Sequence, residues 1–191
     1  GGLWGWGRDH RGQLGGVVGR GSAYPMRLPT AVPFTSIVAG REFTLALDGD
    51  GGAWAWGRND RGQLGLGTPP SRTGAGRVAL PAPAVHLFAG NRHAGAILAD
   101  GRMFLWGAAH GGQLGYPGAP RTSAPSPMHM PWRGDADPDV GPVVGADAGD
   151  DYTVCVTESG RVYAWGTSVT GVFGDRSRLA QSHEPRLVCG P

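Results

Sequence analysis

Six histidines, two cysteines and a short run of aspartates are the residues of this chain whose types suit acid–base, nucleophilic or metal chemistry. Such chemistry needs those groups at fixed spacings, and the spacings are absent. No HExxH, Gly-x-Ser-x-Gly, phosphate-binding glycine loop or paired-cysteine zinc pattern occurs. His10, His86, His93, His110, His129 and His183 are scattered. Cys155 and Cys189 make neither a disulfide framework nor a zinc site, and Cys155 lies in an apolar stretch, as a small core residue would. Met128-His129-Met130 is soft enough for a metal, but a single triplet reads better as apolar packing. The alternating Asp135, Asp137 and Asp139 lack the remaining ligand spacing of a calcium loop. No catalytic residue, metal site or cofactor is expected, and the chain is read as a binding protein and not an enzyme.

Two groups of residues have types suited to binding. The first is a repeated arginine pair, Arg8 and Arg11, then Arg58 and Arg61, interleaved with Asp9, His10 and Asp60. These arginines either meet an acidic partner or phosphate, or are satisfied by neighbouring aspartates and blade-end carbonyls. The second is Trp132, Arg133, Asp135 and Asp137, within a stretch from Tyr116 to Pro142. Trp and Arg are favoured interface anchors, and loops on a rigid scaffold are where binding residues collect.

The elements that must position these groups follow from an internal repeat. Trp6-Gly7, Trp56-Gly57, Trp106-Gly107 and Trp165-Gly166 share one frame, with spacings of 50, 50 and 59. Gly12, Gly62, Gly112 and Gly171 follow at a constant distance, then Leu14, Leu64, Leu114 and Phe173. Gln precedes the leucine in three copies, and a glycine closes each: Gly15, Gly65, Gly115 and Gly174. Ahead of the tryptophans stand Gly1, Gly51, Gly101 and Gly160. The longer third spacing places a nine-residue insertion between Gly115 and Gly149.

Each copy predicts a blade. Ile37-Val38 and Leu87-Phe88 read as inner strands. Phe43 to Leu47, His93 to Leu98 and Tyr152 to Thr157 read as second strands, and turns at Gly51, Gly101 and Gly160 lead to the tryptophan strand. Proline-bearing segments such as Leu28 to Val32 and Pro185 to Val188 are expected to form the outermost strand. Short strands repeated in this way describe an all-β propeller whose blades stack to cover one another. The repeated Trp and Leu or Phe are the natural fillers between blades. Residues 1–31 read as the second half of a blade, with full repeats at 32–81, 82–140 and 141–191.

The pattern Gly-x-x-x-Thr, a hairpin, then Trp-Gly-x-x-x-x-Gly-Gln-Leu-Gly resembles the regulator of chromosome condensation repeat family. Gly40, Thr44, Gly51, Trp56, Gly57, Gly62, Gln63, Leu64 and Gly65 carry it, with their counterparts. The chain departs at Phe43 and Tyr152, where a histidine is common, at Ala94, and at Val172-Phe173. The resemblance implies a seven-bladed propeller, of which about three and a half blades are present, and the remaining blades are expected in a longer chain. It implies protein partners, within a larger assembly, for an interaction scaffold. The alternative that it implies is guanine-nucleotide exchange on a small Ran-like GTPase with chromatin association. A light sensor like the plant UV-B photoreceptor would need tryptophans where Arg41, Asn91 and Asp150 stand.

Bulk properties narrow the classes further. A net charge of +2 gives no electrostatic footprint for direct nucleic-acid binding. All 17 basic residues are arginine. The apolar runs fall far short of the roughly 20 residues that cross a bilayer. No signal or transit peptide is legible, the chain opens on Gly1, and an intracellular setting (cytoplasmic, nuclear or organellar) is the expectation.

Overall fold

The computed structural model describes residues 2–15, 21–67, 72–116, 118–132, 140–169, 171–174 and 180–189. They form fourteen strands in four antiparallel sheets, and no helix occurs among them. The first sheet holds only β1 (Trp4–Gly7) and β2 (Ser22–Arg27). The second runs β3 (Phe34–Ala39), β4 (Phe43–Asp48), β5 (Ala53–Gly57), β6 (Arg72–Arg77). The third runs β7 (Ala84–Ala89), β8 (His93–Leu98), β9 (Met103–Ala108), β10 (Ser123–Met130). The fourth runs β11 (Val143–Ala148), β12 (Tyr152–Thr157), β13 (Val162–Thr167), β14 (Gln181–Cys189). Each is a meander of sequential neighbours: the blade of a β-propeller.

The hairpin turns explain themselves locally. In the second blade Asp48 Oδ1 accepts the amides of Asp50 and Gly52, and Gly51 takes a φ of 77°. A β-carbon at Gly51 would lie 2.8 Å from Pro83 and 2.9 Å from the Ala84 carbonyl, so glycine serves both the turn and the approach of the next blade.

The outermost strand meets the expectation in the fourth blade, where Pro185 to Val188 lies within β14, and differs from it in the first. It is β2, β6, β10 and β14, and Leu28 to Val32 follows the end of β2 instead of forming it. The hydrogen-bonded partner for the tryptophan strand starts earlier in the chain, and Leu28 makes only the last link, its amide donating to the Leu3 carbonyl at 2.8 Å. The side chain of Leu28 is buried there.

The core lies between sheets. One cluster packs Leu45, Leu64 and Ala55 of the second blade against Leu87, Phe104 and Trp106 of the third. Another packs Phe88, Leu105 and Leu114 of the third against Tyr163 and Trp165 of the fourth. The middle blade is covered on both faces, and every residue of β8 and β9 is buried. Its strands therefore read as continuous apolar or small-residue runs without alternation, as strands buried on both faces do.

Candidate functional site

The rim loop after each Trp-Gly is built almost entirely by its own residues. In the first copy the Gly12 amide donates to the Asp9 carbonyl and the Gly15 amide to the Gly12 carbonyl, two turns in succession. The Asp9 side chain accepts from the Leu14 amide at 2.9 Å, and Gln13 Oε1 accepts from the Arg11 amide at 2.9 Å. The same bonds recur through Asn59 to Leu64 and Gln63 to Arg61, and through Gln113 to Gly111. The Gln of the motif thus folds back on its own loop, while its main-chain carbonyl accepts the indole N–H of the next blade. Trp56 reaches Gln13, Trp106 reaches Gln63 and Trp165 reaches Gln113, at 2.9–3.0 Å. The closing glycine of the loop lies under that ring, since a β-carbon at Gly65 would stand 2.9 Å from Trp106 Nε1.

A carboxylate faces a histidine or an arginine across each blade junction. His10 Nε2 donates to Glu42 Oε1 at 2.8 Å. At the next junction Arg92 acts electrostatically on Asp60, and at the third His110 Nε2 lies 3.8 Å from Asp151. These are the same two repeat positions each time, with the carboxylate on the opposite side at the middle junction. Arg58 binds Asp60 through both arms, at 2.6 and 2.7 Å, and also Glu42. The Arg58 hydrogen bonds hold the Asp60 carboxyl below its ordinary value. Burial pushes Glu42 upward, but hydrogen bonds from Arg58 and His10 outweigh it and keep that carboxyl low.

The candidate arginines therefore divide. Arg58 is consumed within the rim. Arg8, Arg11 and Arg61 are exposed on it. Asp9, expected among the interleaved rim charges, is buried as a loop cap.

Trp132 is not where a partner contact requires it to be. It is 4% exposed, donates its indole N–H to the Gly141 carbonyl at 3.1 Å and packs edge-on against Tyr163. Met130 pairs with Met103 as Val78 bonds Ala53, so Trp132 takes the place of Leu80, two residues on. It belongs to the repeated frame, as a larger filler beneath the next blade. Seven of the nine extra residues lie beyond it: Trp132 to Pro142 spans ten positions, against three from Leu80 to Pro83. Arg133, Asp135, Asp137 and Asp139 in that stretch lie outside the described residues.

The repeat tryptophans also divide. Trp56, Trp106 and Trp165 are at most 2% exposed, and Leu64, Leu114 and Phe173 are buried with them, but Trp6 is 60% exposed. Its repeat mates lie on the loop of a preceding blade, and no such loop flanks Trp6 among the described residues.

The histidines and cysteine are placed as structure. His93 is fully buried, with Nε2 bonded to Thr153 Oγ1 at 3.0 Å, and burial lowers its pKa to about 4. Cys155 is 2% exposed and burial pushes its thiol up to about 12, far from a reactive thiolate. Among the described residues no group of three or more His, Cys, Asp or Glu is arranged to hold a metal ion. No helix among them is long and apolar enough to cross a membrane. One grouping was missed from sequence: the ends of the inner strands bring Arg41, Asn91 and Asp150 around an open cleft of about 620 Å³. The equal repeat position of these three residues was the signal that they converge.

The model of the regulator of chromosome condensation (RCC1) repeat matches residues 1–47, 50–97 and 100–156, and a second model of the same repeat matches 34–63 and 143–171. The chain belongs to the regulator of chromosome condensation repeat family. Solved structures of this propeller type superpose on nearly all of it. Human WBSCR16 aligns at a TM-score of 0.84 and 22% identity over 97% of this chain and 47% of its own. Prp20p from Saccharomyces cerevisiae, whose binding to Gsp1p and histones accompanies its crystal structure, aligns at 0.85 and 22% over 100% and 47%. Yeast RCC1 (Prp20) bound to Kap60 aligns at 0.84 and 22% over 99% and 45%. The chain spans about half the length of these proteins. No curated protein sequence matches it significantly. At this identity the likeness establishes the fold, and an RCC1-type propeller is a binding or regulatory fold.

Proposed function

We propose that this RCC1-repeat chain is a protein-interaction module whose rim arginines Arg8, Arg11 and Arg61 grip an acidic surface of a partner protein. One observation carries the reading. The rim loops satisfy their own backbone through Asp9, Asn59 and the motif glutamines, so their shape needs nothing from these three guanidiniums, which stand exposed. Arginine offers a planar fork for carboxylates and loses less entropy per bond than lysine on forming it.

The test is affinity capture with the wild-type chain and with an Arg8→Ala, Arg11→Ala, Arg61→Ala variant. The variant retains at least tenfold less of the acidic partners, and 0.5 M salt weakens wild-type capture in the same way. An identical set retained by both proteins, at both salt concentrations, refutes the role of the rim. Guanine-nucleotide exchange belongs to the same experiment through the fold it shares with Prp20p. Faster release of a fluorescent GDP analogue from a Ran-type GTPase would make that GTPase the partner.

A further inference from the structure

We infer that a cavity at the junction of the third and fourth blades binds a small monocarboxylate with a compact apolar body. The cavity measures about 270 Å³. Ala109, Tyr116, Ala119, Pro120 and Arg121 of the third repeat line it together with His183 of β14. None of the rim arginines Arg8, Arg11 and Arg61 is among its walls, so this site and the rim reading stand or fall separately.

The third repeat departs from the first two at this place. Ser22, Arg72 and Ala124 pair with the same motif glycine in their blades, Gly7, Gly57 and Gly107. Gly15 to Ser22 and Gly65 to Arg72 each span seven positions, but Gly115 to Ala124 spans nine. The lengthened loop is held by two main-chain bonds. The Ala119 amide donates to the Tyr116 carbonyl at 3.2 Å, and the Ala109 amide to the Thr122 carbonyl at 3.0 Å. Tyr116 itself stands where the second repeat has Leu66. Building another blade explains neither the added residues nor the hydroxyl.

The apolar part of the lining continues the core between the blades, since Ala109 and Tyr116 belong to that cluster and Ala119 packs against it. The polar side chains offer donors without strong acceptors. Arg121 is exposed and makes no hydrogen bond or ion pair among the described residues. Tyr116 is 8% exposed, and its hydroxyl donates to the Met128 thioether, a weak acceptor that a carboxylate outcompetes. Burial pushes the Tyr116 pKa up, so the hydroxyl keeps its proton. His183 Nε2 accepts from the Gln181 side-chain amide at 2.6 Å, which places the proton of the neutral ring on Nδ1. No acidic side chain is among the described residues that line the cavity.

A guanidinium fork and two further donors match a carboxylate, and the alanine, proline and tyrosine walls match an apolar body. Inorganic phosphate would leave those walls without a partner. Pockets for drug-sized ligands begin at roughly 300 Å³, so the occupant is smaller than these.

Benzoate is the probe. Titrated into the chain, it saturates at millimolar concentration or below and shifts the amide resonances of Tyr116, Ala119, Arg121 and His183, leaving those of Arg8 and Arg61 in place. Benzamide, which keeps the ring and lacks the charge, binds at least tenfold more weakly. Arg121→Ala, at an exposed position, keeps the fold and weakens benzoate at least tenfold. Tyr116→Phe keeps the packed ring and weakens it about threefold, as loss of one hydrogen bond does. Absence of saturation overturns the proposal, as does benzamide binding equal to that of benzoate, or undiminished binding by both variants. The same shifts from inorganic phosphate at lower concentration would make this a general anion site and overturn it too. An acetylated dipeptide ending in phenylalanine that binds more tightly than benzoate overturns the assignment to a small free acid.

Discussion

His93 is a residue whose ionisation bears directly on stability. Its imidazole titrates at about 4 in the folded protein against an ordinary 6.5, because burial disfavours the charged ring. Between those values the unfolded chain binds the extra proton, so stability is full above pH 6.5 and is lost as pH falls toward 4. At about 1.4 kcal/mol per unit, the loss on going from pH 7 to below 4 is on the order of 3 kcal/mol. Urea melts of wild type and His93→Phe across this range measure it. The variant borrows the residue found at Phe43 and removes that part of the pH dependence, since Thr153 Oγ1 still donates to the Gln113 carbonyl. An equal acid loss in both proteins would assign it to carboxylates instead. Cys155 shows the opposite lesson: its type suggests reactivity and its burial cancels it.

At the scale of elements, the blade junction decides what a tryptophan is worth. Trp106 joins two blades through its ring and through the bond to the Gln63 carbonyl, and Trp132 fills the space beneath the fourth blade. Replacing either by alanine removes a buried aromatic and leaves a cavity, at about 3–5 kcal/mol each. Trp6→Ala, from a position 60% exposed, costs under about 1 kcal/mol in this chain. Chemical denaturation of the three variants checks the order. A small loss at Trp132 would return it to the surface role that sequence reasoning assigned.

At the scale of the whole molecule, stability grades along the array. Each blade contacts only its neighbours, so the second and third sheets each make two junctions and the first makes one. β8 and β9 are buried throughout, whereas three of the four residues of β1 are exposed. Amide hydrogen exchange follows this order, slowest for His93–Leu98 and Met103–Ala108 and fastest for Trp4–Gly7. Uniform protection across all four sheets would mean that the array opens as a single unit.

The spacing of Trp-Gly, the loop glycines and the Leu or Phe that follows was enough to determine the propeller, the family and which residues build junctions. Those features are local and repeat, so each copy tests the reading of the others. The tertiary structure decided what one frame of sequence cannot hold. Insertions displace Trp132 from the spacing of the repeat, and strand pairing returns it to the place of Leu80 and to the core. Arg58 and Arg61 look alike in sequence, yet Glu42 and Asp60 consume the first and leave the second exposed. Trp6 and Trp106 share one motif, and their difference lies wholly in whether another blade covers them. Junction contacts depend on residues about 30 to 60 positions away, which become neighbours only when the blades stack. Arg58, by contrast, meets Glu42 and Asp60, 16 and 2 positions away, once its own blade folds.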